Sequence, residues 1–376
     1  MVLADGPHGP VRFQEHVIET NIPGGYSVMT VDINHDGKLD IVGLTSRSPE
    51  LAWYENPGWQ RHVIINDAQA LSNMAAADID GDGIPEIAIQ TGFNMVAAKS
   101  QGVVSVLHHD GDPRGLWKSQ KIDEITTSHH IAWADIDGDG KKELINAPLI
   151  GAKALAPKYE DNVSLFYYRP GEWKRMLIDD KLFGVLHRVR PVHWEKGARE
   201  QLLTTGFDGI VLHSATGKGD KLTWKHENLS KGQPEEELKK GTSDVAVGQL
   251  NGKRFMAAVE AWHGHHVVVY TEDNTHAWRR NVIFSDIVEG HEVVVGDYNG
   301  DGLDDIVAGD RGKGKSVHIF YAQDATGDKW EHHVIDDGGM AGSGCVKADV
   351  NGDQRLDVVC IGGTTTNIKW YENMGK

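Results

Sequence analysis

Short runs of alternating apolar and polar residues recur along the whole chain, separated by turns rich in Gly and Asp. An apolar run such as "HIAWAD" leads into an acidic loop, and a second, such as "LDIVGL" or "DDIVAGD", leaves it. A third run is aromatic, as in "ELAWYEN", "VSLFYYR", "HVVVYTE" and "VHIFYAQ". A fourth opens with Trp, as in "WQRHVI" at Trp59, "WRRNVI" at Trp278 and "WEHHVI" at Trp330. Period-two alternation with β-branched and aromatic residues predicts strands, and no long stretch carries a helical period.

The acidic loop marks the repeat. It reads "DINHDGKLD" from Asp32, "DIDGDGIPE" from Asp78, "DIDGDGKKE" from Asp135, "DYNGDGLDD" from Asp297 and "DVNGDQRLD" from Asp349. Two degenerate copies, "HWEKGAREQ" from His193 and "QLNGKRFMA" from Gln249, fill the gap, so seven units of four strands follow one another. The chain stops after a third strand, "IKWYEN". The missing fourth strand stands at the other end as "FQEHVI" from Phe13, a match to "WEHHVI" with Phe for Trp. These features predict an all-β, seven-bladed β-propeller over residues 11–376, its last blade closed by the N-terminal strand, with residues 1–10 as a tail.

Each full loop places oxygens at positions one, three, five and nine and a Gly at position six for the sharp turn, a calcium pattern set between strands. The predicted ligands are Asp32, Asn34, Asp36 and Asp40; Asp78, Asp80, Asp82 and Glu86; Asp135, Asp137, Asp139 and Glu143; Asp297, Asn299, Asp301 and Asp305; and Asp349, Asn351, Asp353 and Asp357. The last loop has Gln354 where Gly is expected. All the oxygens of a site come from one hairpin, so the ions are read as structural. Solvated turns held by Asx hydrogen bonds are the plainer alternative.

Charge then has a local explanation. The loops hold as many carboxylates at these positions as the net charge of −17, so the acidity reflects ion binding and argues against nucleic acid as a partner. No apolar run approaches a membrane span. No signal peptide is evident, although "MVLADGPHGP" is compatible with a Met added to a mature N-terminus. Because calcium-loop propellers suit calcium-rich compartments, a secreted or periplasmic protein is expected. The two cysteines, Cys345 and Cys360, flank one predicted hairpin; they either face each other in a bond or are buried free thiols.

Alignment of the seven units on the first loop position changes the picture at the other end of the inner strands. Six residues upstream stand Tyr26, Ser72, His129, His187, Ser243, His291 and Ser343, and next to them Ser27, Asn73, His130, Arg188, Asp244, Glu292 and Gly344. Inner strands line a propeller's channel, so these histidines are expected to converge at one mouth. The exit loops of the second strands reach the same face with Arg47, Asp208, Glu260, His263 and Arg311. Neutral imidazoles from separate strands bind zinc or a similar divalent metal, with His129, His187 and His291 as the expected set, and also serve as acid and base near neutral pH. Tyr26, Arg47, Arg188, Asp208, Glu260 and Arg311 are the candidate substrate-binding residues, the arginines holding a carboxylate or a developing enolate. A lone inner-strand His is more often a packing residue, but three at one repeat position favour a site.

The segments "INAPL" (145–149), "LHRVRPV" (186–192), "TGFDG" (205–209), "VEAWHGHHVVVYT" (259–271) and "EGHEVVVGDYNGDG" (289–302) resemble the propeller domain of aldos-2-ulose dehydratase, and the acidic loops resemble FG-GAP/VCBS repeats. The first resemblance implies an enzyme, a carbon–oxygen lyase that removes water from anhydrofructose and related keto-sugars. A related propeller architecture serves lyases of rhamnosyl-glucuronate linkages. It places His129 or His130, His187, His263 and His291 in a carbohydrate-eliminating site and leaves open which is base and which is ligand. The dehydratase continues into cupin domains that carry a later isomerisation, an activity not expected of this chain. Two other readings stand beside it: a glycoside hydrolase with two of Asp208, Asp244, Glu260 and Glu292 as its carboxylates, and a non-catalytic binding propeller.

Overall fold

A computed structural model describes residues 9–234 and 239–376; residues 1–8 of the expected tail lie outside it. Seven four-stranded antiparallel sheets form a propeller. The inner strands of blades one to seven are Gly25–Val31, Asn73–Ala77, Ser128–Ala134, Leu186–Val192, Asp244–Leu250, Gly290–Gly296 and Gly342–Ala348. Each contacts the next around the ring. The strand Phe13–Glu19 pairs antiparallel with Asn367–Asn373, Phe13 facing Asn373, and so completes blade seven from the start of the chain. No helix among the described residues is long and apolar enough to cross a membrane.

Second strands are buried on both faces, and their period-two alternation divides them between neighbours. In blade one Val42 and Leu44 pack toward blade two, while Ile41 packs toward blade seven; in blade two Ile87 and Ile89 face blade one and Ala88 faces blade three. One apolar cluster fills each of the seven blade contacts. Outer strands are the wet edge, as in Lys118–Glu124, which is mostly exposed.

The two degenerate loops are hairpins of other kinds. Leu250 pairs with Lys253 across Asn251 and Gly252, both at positive φ, the two-residue turn that Asn-Gly favours. Residues 193–200 form a longer turn. Cys345 and Cys360 face each other on adjacent strands of blade seven and are bonded, which resolves the two readings of these cysteines. The bond closes a loop of 15 residues in the blade that also closes the ring. Replacing both with alanine is expected to cost about 3 kcal/mol, the loop-entropy value for such a closure. A denaturant midpoint unchanged from that of the oxidised parent would contradict it.

Candidate active site at the channel mouth

His129, His187 and His291 begin their inner strands in the same register and converge, so the alignment of the repeats is reproduced in space. Ring centroids of His187 lie 5.5 Å from His129 and 4.9 Å from His291. His263 arrives from elsewhere. The turn Ala261–Gly264 folds it over the mouth, with His263 at φ 47° and Gly264 so close to Ala261 that a Cβ would sit 1.9 Å from its nitrogen. Only Gly fits there. His263 Nε2 then stands 3.2 Å from His187 Nε2.

Backbone carbonyls set two tautomers. His187 donates Nδ1–H to Ser243 O at 2.7 Å, and His291 does the same to Ser343 O at 2.6 Å. Both therefore present an Nε2 lone pair to the mouth, an arrangement common among metal-ligating histidines. The imidazoles with ligand atoms within 4.8 Å of one another are His187, His263 and His291. The set read from register alone, His129, His187 and His291, thus differs by one member from the set the geometry gathers. His129 turns aside toward the hydroxyl of Tyr26, which lies 3.2 Å from His129 Nε2 and 3.2 Å from His291 Nε2. His129 Nδ1 is buried without a hydrogen-bond partner among the described residues.

Charge surrounds the imidazoles. Arg311 reaches His263 Nδ1 at 3.1 Å, and Arg188 reaches His130 Nε2 at 3.0 Å. Below them the channel is plugged by two arginines and two carboxylates. Arg190 Nε donates to Asp244 at 2.8 Å, Arg188 Nη1 lies 3.4 Å from Glu292, and Arg190 Nη2 lies 3.2 Å from it. Burial pushes the Asp244 carboxyl up, but Arg190 and Arg188 more than offset this and hold it below the usual range. Burial wins at Glu292, whose pKa is raised against the pull of Arg188 and Arg190.

Burial, followed by the guanidinium of Arg188, holds His187 down to about 3. Burial and the same positive neighbours hold His129, His130, His263 and His291 well below 6.5. Burial raises Tyr26, so its phenol stays protonated. The imidazoles are therefore bases or ligands at neutral pH, and Tyr26 is the proton donor among them. Between about pH 6.5 and 3 the unfolded chain binds protons that the folded one refuses, so the stability these histidines contribute is complete above pH 6.5 and falls as the pH drops. Ring-nitrogen NMR is expected to show His187 and His291 neutral from pH 8 to pH 5; titration with a midpoint near 6.5 would contradict the burial.

Tyr26 and His263 reach two adjoining cavities that share Glu289 and Arg311, while the buried His129, His187, His291 and Arg188 are not among the lining residues. One, of about 450 Å³, is lined by Tyr26, Arg47 and Ser343. The other, of about 550 Å³, is lined by Trp262, His263 and His265. Asp208 and Glu260 are not part of this lining. Asp208 accepts the backbone N–H of Phe183, and Glu260 lies fully buried inside blade five, bonded to Tyr270 and Arg280. Sequence reasoning missed Phe93 and Trp262, whose rings pack 4.8 Å from His129 and 4.7 Å from His263. It also missed Arg190, although a residue two positions from Arg188 shares its face of the strand.

At the far end of the same strands, about 20 Å away by strand length, the acidic loops share one frame. Position one accepts the backbone N–H of position six, as in Gly83 to Asp78 and Gly140 to Asp135. Gln354 takes the same positive φ as the glycines and bonds to Asp349. Position nine is buried and accepts the N–H of position two, as in Ile33 to Asp40, Ile79 to Glu86 and Tyr298 to Asp305. Burial pushes Glu143 up to about 7 and Asp305 up to about 8. Oxygens of Asp78, Asp80 and Glu86, and of Asp135, Asp137 and Asp139, lie within 4.8 Å of one another, so these side chains suit a hard cation.

Fold and site together define a propeller of acidic-loop repeats with a histidine-lined mouth. FG-GAP-like repeats match residues 13–89 and 297–360, and the β-propeller domain of aldos-2-ulose dehydratase matches residues 101–273, the section that carries His129, His130, His187 and His263. Both resemblances read from the sequence are thereby borne out, the second as a similarity to one domain of a carbohydrate-processing enzyme. No curated protein matches the chain in sequence. Among solved structures, BBS1N in its complex with ARL6DN aligns over 96% of both chains with a TM-score of 0.58 and 11% identity. A luciferin-regenerating enzyme aligns over 96% of both with a TM-score of 0.45 and 10% identity. The first of these shows the fold alone.

Proposed function

We propose that the protein is a carbohydrate carbon–oxygen lyase, acting by β-elimination on a keto- or anhydro-sugar or on a uronate-containing glycoside. The observation that carries this reading is the meeting of neutral His129 and His291 on the protonated hydroxyl of Tyr26, beside Arg311. Elimination beside a carbonyl needs a base for the carbon-bound proton, positive charge for the developing enolate, and an acid for the leaving oxygen. An imidazole of the cluster takes the proton, and the C–H electron pair forms the new double bond as the β C–O bond breaks. Tyr26 gives its proton to the departing oxygen and regains one through His129 or His291. Arg311 and Arg47, at the cavity wall, face the carbonyl or carboxylate oxygen. His187, His263 and His291 would hold zinc or a similar divalent ion once His291 Nε2 released Tyr26 and His263 released Arg311 to free a lone pair, and such an ion would polarise that oxygen as a Lewis acid.

A hydrolase reading loses its carboxylates: Asp244 and Glu292 are held in the arginine plug, Glu260 in blade five, and Asp208 on Phe183. The test is to incubate the protein with keto-sugars and with uronate oligosaccharides and follow near-UV absorbance from an unsaturated product. Absence of such a product in every case, with binding retained, would favour a non-catalytic binding propeller.

The acidic loops are proposed to hold structural calcium, and a secreted or periplasmic location agrees with both calcium and the Cys345–Cys360 bond. Without a cation the raised carboxylates of Glu143 and Asp305 cost stability as they ionise, progressively from about pH 4 to pH 8. Chelation is therefore expected to lower the thermal midpoint most at pH 8 and least near pH 4. A midpoint insensitive to chelation at pH 8 would rule out calcium here.

A further inference from the structure

Away from the mouth, three potential ligands meet at the contact of blades three and four: Asp179, His213 and His226. Asp179 belongs to the outer strand of blade three, Met176–Phe183. His213 lies on the third strand of blade four, Gly209–Thr216, directly opposite His226 on the outer strand, Thr223–Ser230.

The backbone aims Asp179 inward. Leu165 faces Asp179 while Phe166 faces Leu177, so the pairing shifts register at this point. Ile178 and Asp179 are consecutive and both buried, where plain alternation would expose one of them. A bulge has thus carried a carboxylate into an apolar contact, and buried charges are paired or coordinate metals. Asp179 Oδ1 accepts the N–H of Lys181 at 2.8 Å. Oδ2 faces His226 Nδ1 at 3.4 Å and His213 Nδ1 at 3.6 Å, and the two Nδ1 atoms are 2.8 Å apart. His213 is fully buried, and burial followed by His226 holds it down to about 3, so it offers a lone pair and no charge to the carboxylate. Its other nitrogen, Nε2, meets Thr204 Oγ1 at 2.8 Å, the outer-partner arrangement that orients a ligating imidazole. A tetrahedral zinc shell with bonds of 2.0–2.1 Å has edges of about 3.3 Å. The three ligand spacings bracket that edge.

We propose that Asp179, His213 and His226 form a second transition-metal site, for zinc or a divalent ion of similar preference, that clips the outer strand of blade three to blade four. His226 is exposed, which gives the ion an entry path and leaves solvent to complete its shell. The site shares no residue with the mouth. It can be tested in full-length protein carrying His187→Gln and His291→Gln, so that the outcome does not depend on the proposed lyase centre.

Zinc titration by calorimetry, with calcium in excess, is expected to show one tight equivalent, accompanied by a rise in thermal midpoint. Adding His226→Gln, a change at an exposed position, should remove that equivalent and the rise while leaving the metal-free circular dichroism unchanged. Asp179→Asn should weaken binding at least about 10-fold. Cobalt in place of zinc should give visible absorption bands of low-coordinate geometry, lost in His226→Gln. Absence of a tight equivalent in the His187→Gln/His291→Gln protein, or an equivalent untouched by His226→Gln, would overturn the assignment.

Discussion

His187→Ala is expected to lower the rate of elimination by about 10²–10⁴-fold, the range of a lost acid–base group. His187 is 1% exposed, its Nδ1 is fixed on Ser243 O, and its Nε2 sits against His263, so the alanine variant removes an imidazole held in one orientation. His291→Ala should cost a similar factor, since its Nε2 supports Tyr26 as well. The double variant should be little worse than either single one, because groups that act as a unit are not additive. His333, paired with Glu331 on an outer strand, is the control: His333→Ala should leave the rate unchanged. The comparison of initial rates at saturating substrate checks this, and a His187→Ala enzyme within threefold of the parent would remove this histidine from the mechanism.

Asp244→Ala is expected to cost about 3–5 kcal/mol, the penalty for stranding buried charge. Asp244 is fully buried and accepts N–H bonds from Val293 at 3.0 Å and Arg190 at 2.8 Å, with Arg188 3.5 Å away. Its removal leaves two guanidinium groups facing Glu292 alone. Because the plug ties blade four to blades five and six, the loss should appear as lower global stability. Arg188 should also shift away from the carbonyl of His291, which it contacts at 3.3 Å. Replacing Asp244 with Leu together with Arg190 with Met removes both partners of the strongest pair and should cost less than Asp244→Ala alone. Denaturant midpoints decide this; a double variant less stable than the single one would mean that the ion pair itself supplies net stabilisation.

The fold was legible because it repeats. Five copies of one loop and two degenerate ones at the same spacing, together with "FQEHVI" standing in for the missing fourth strand, defined both the number of blades and the closure, and Phe13 does pair with Asn373. The ring of His129, His187 and His291 followed from the same alignment, since residues in one register of equivalent strands must share one end of the channel. What the alignment could not supply was everything carried by irregular backbone. His263 enters through a tight turn that no repeat shares, so its place in the triad with His187 and His291 was not derivable from register. Asp208 and Glu260 were expected in exit loops at the mouth, yet Glu260 ends a strand inside blade five and each carboxylate is committed within or between blades. Asp179 is aimed inward by a register shift that period-two reasoning would have sent to solvent.

Elimination across a sugar C–O bond at this mouth is tested most directly by proton NMR of the protein in heavy water with anhydrofructose, other keto-sugars and uronate oligosaccharides. A new olefinic resonance is expected to grow as the signals of at least one substrate fall, at a rate lost in the His187→Ala protein. Unchanged spectra with every one of these substrates, or conversion that proceeds equally in the His187→Ala protein, would contradict elimination at this mouth.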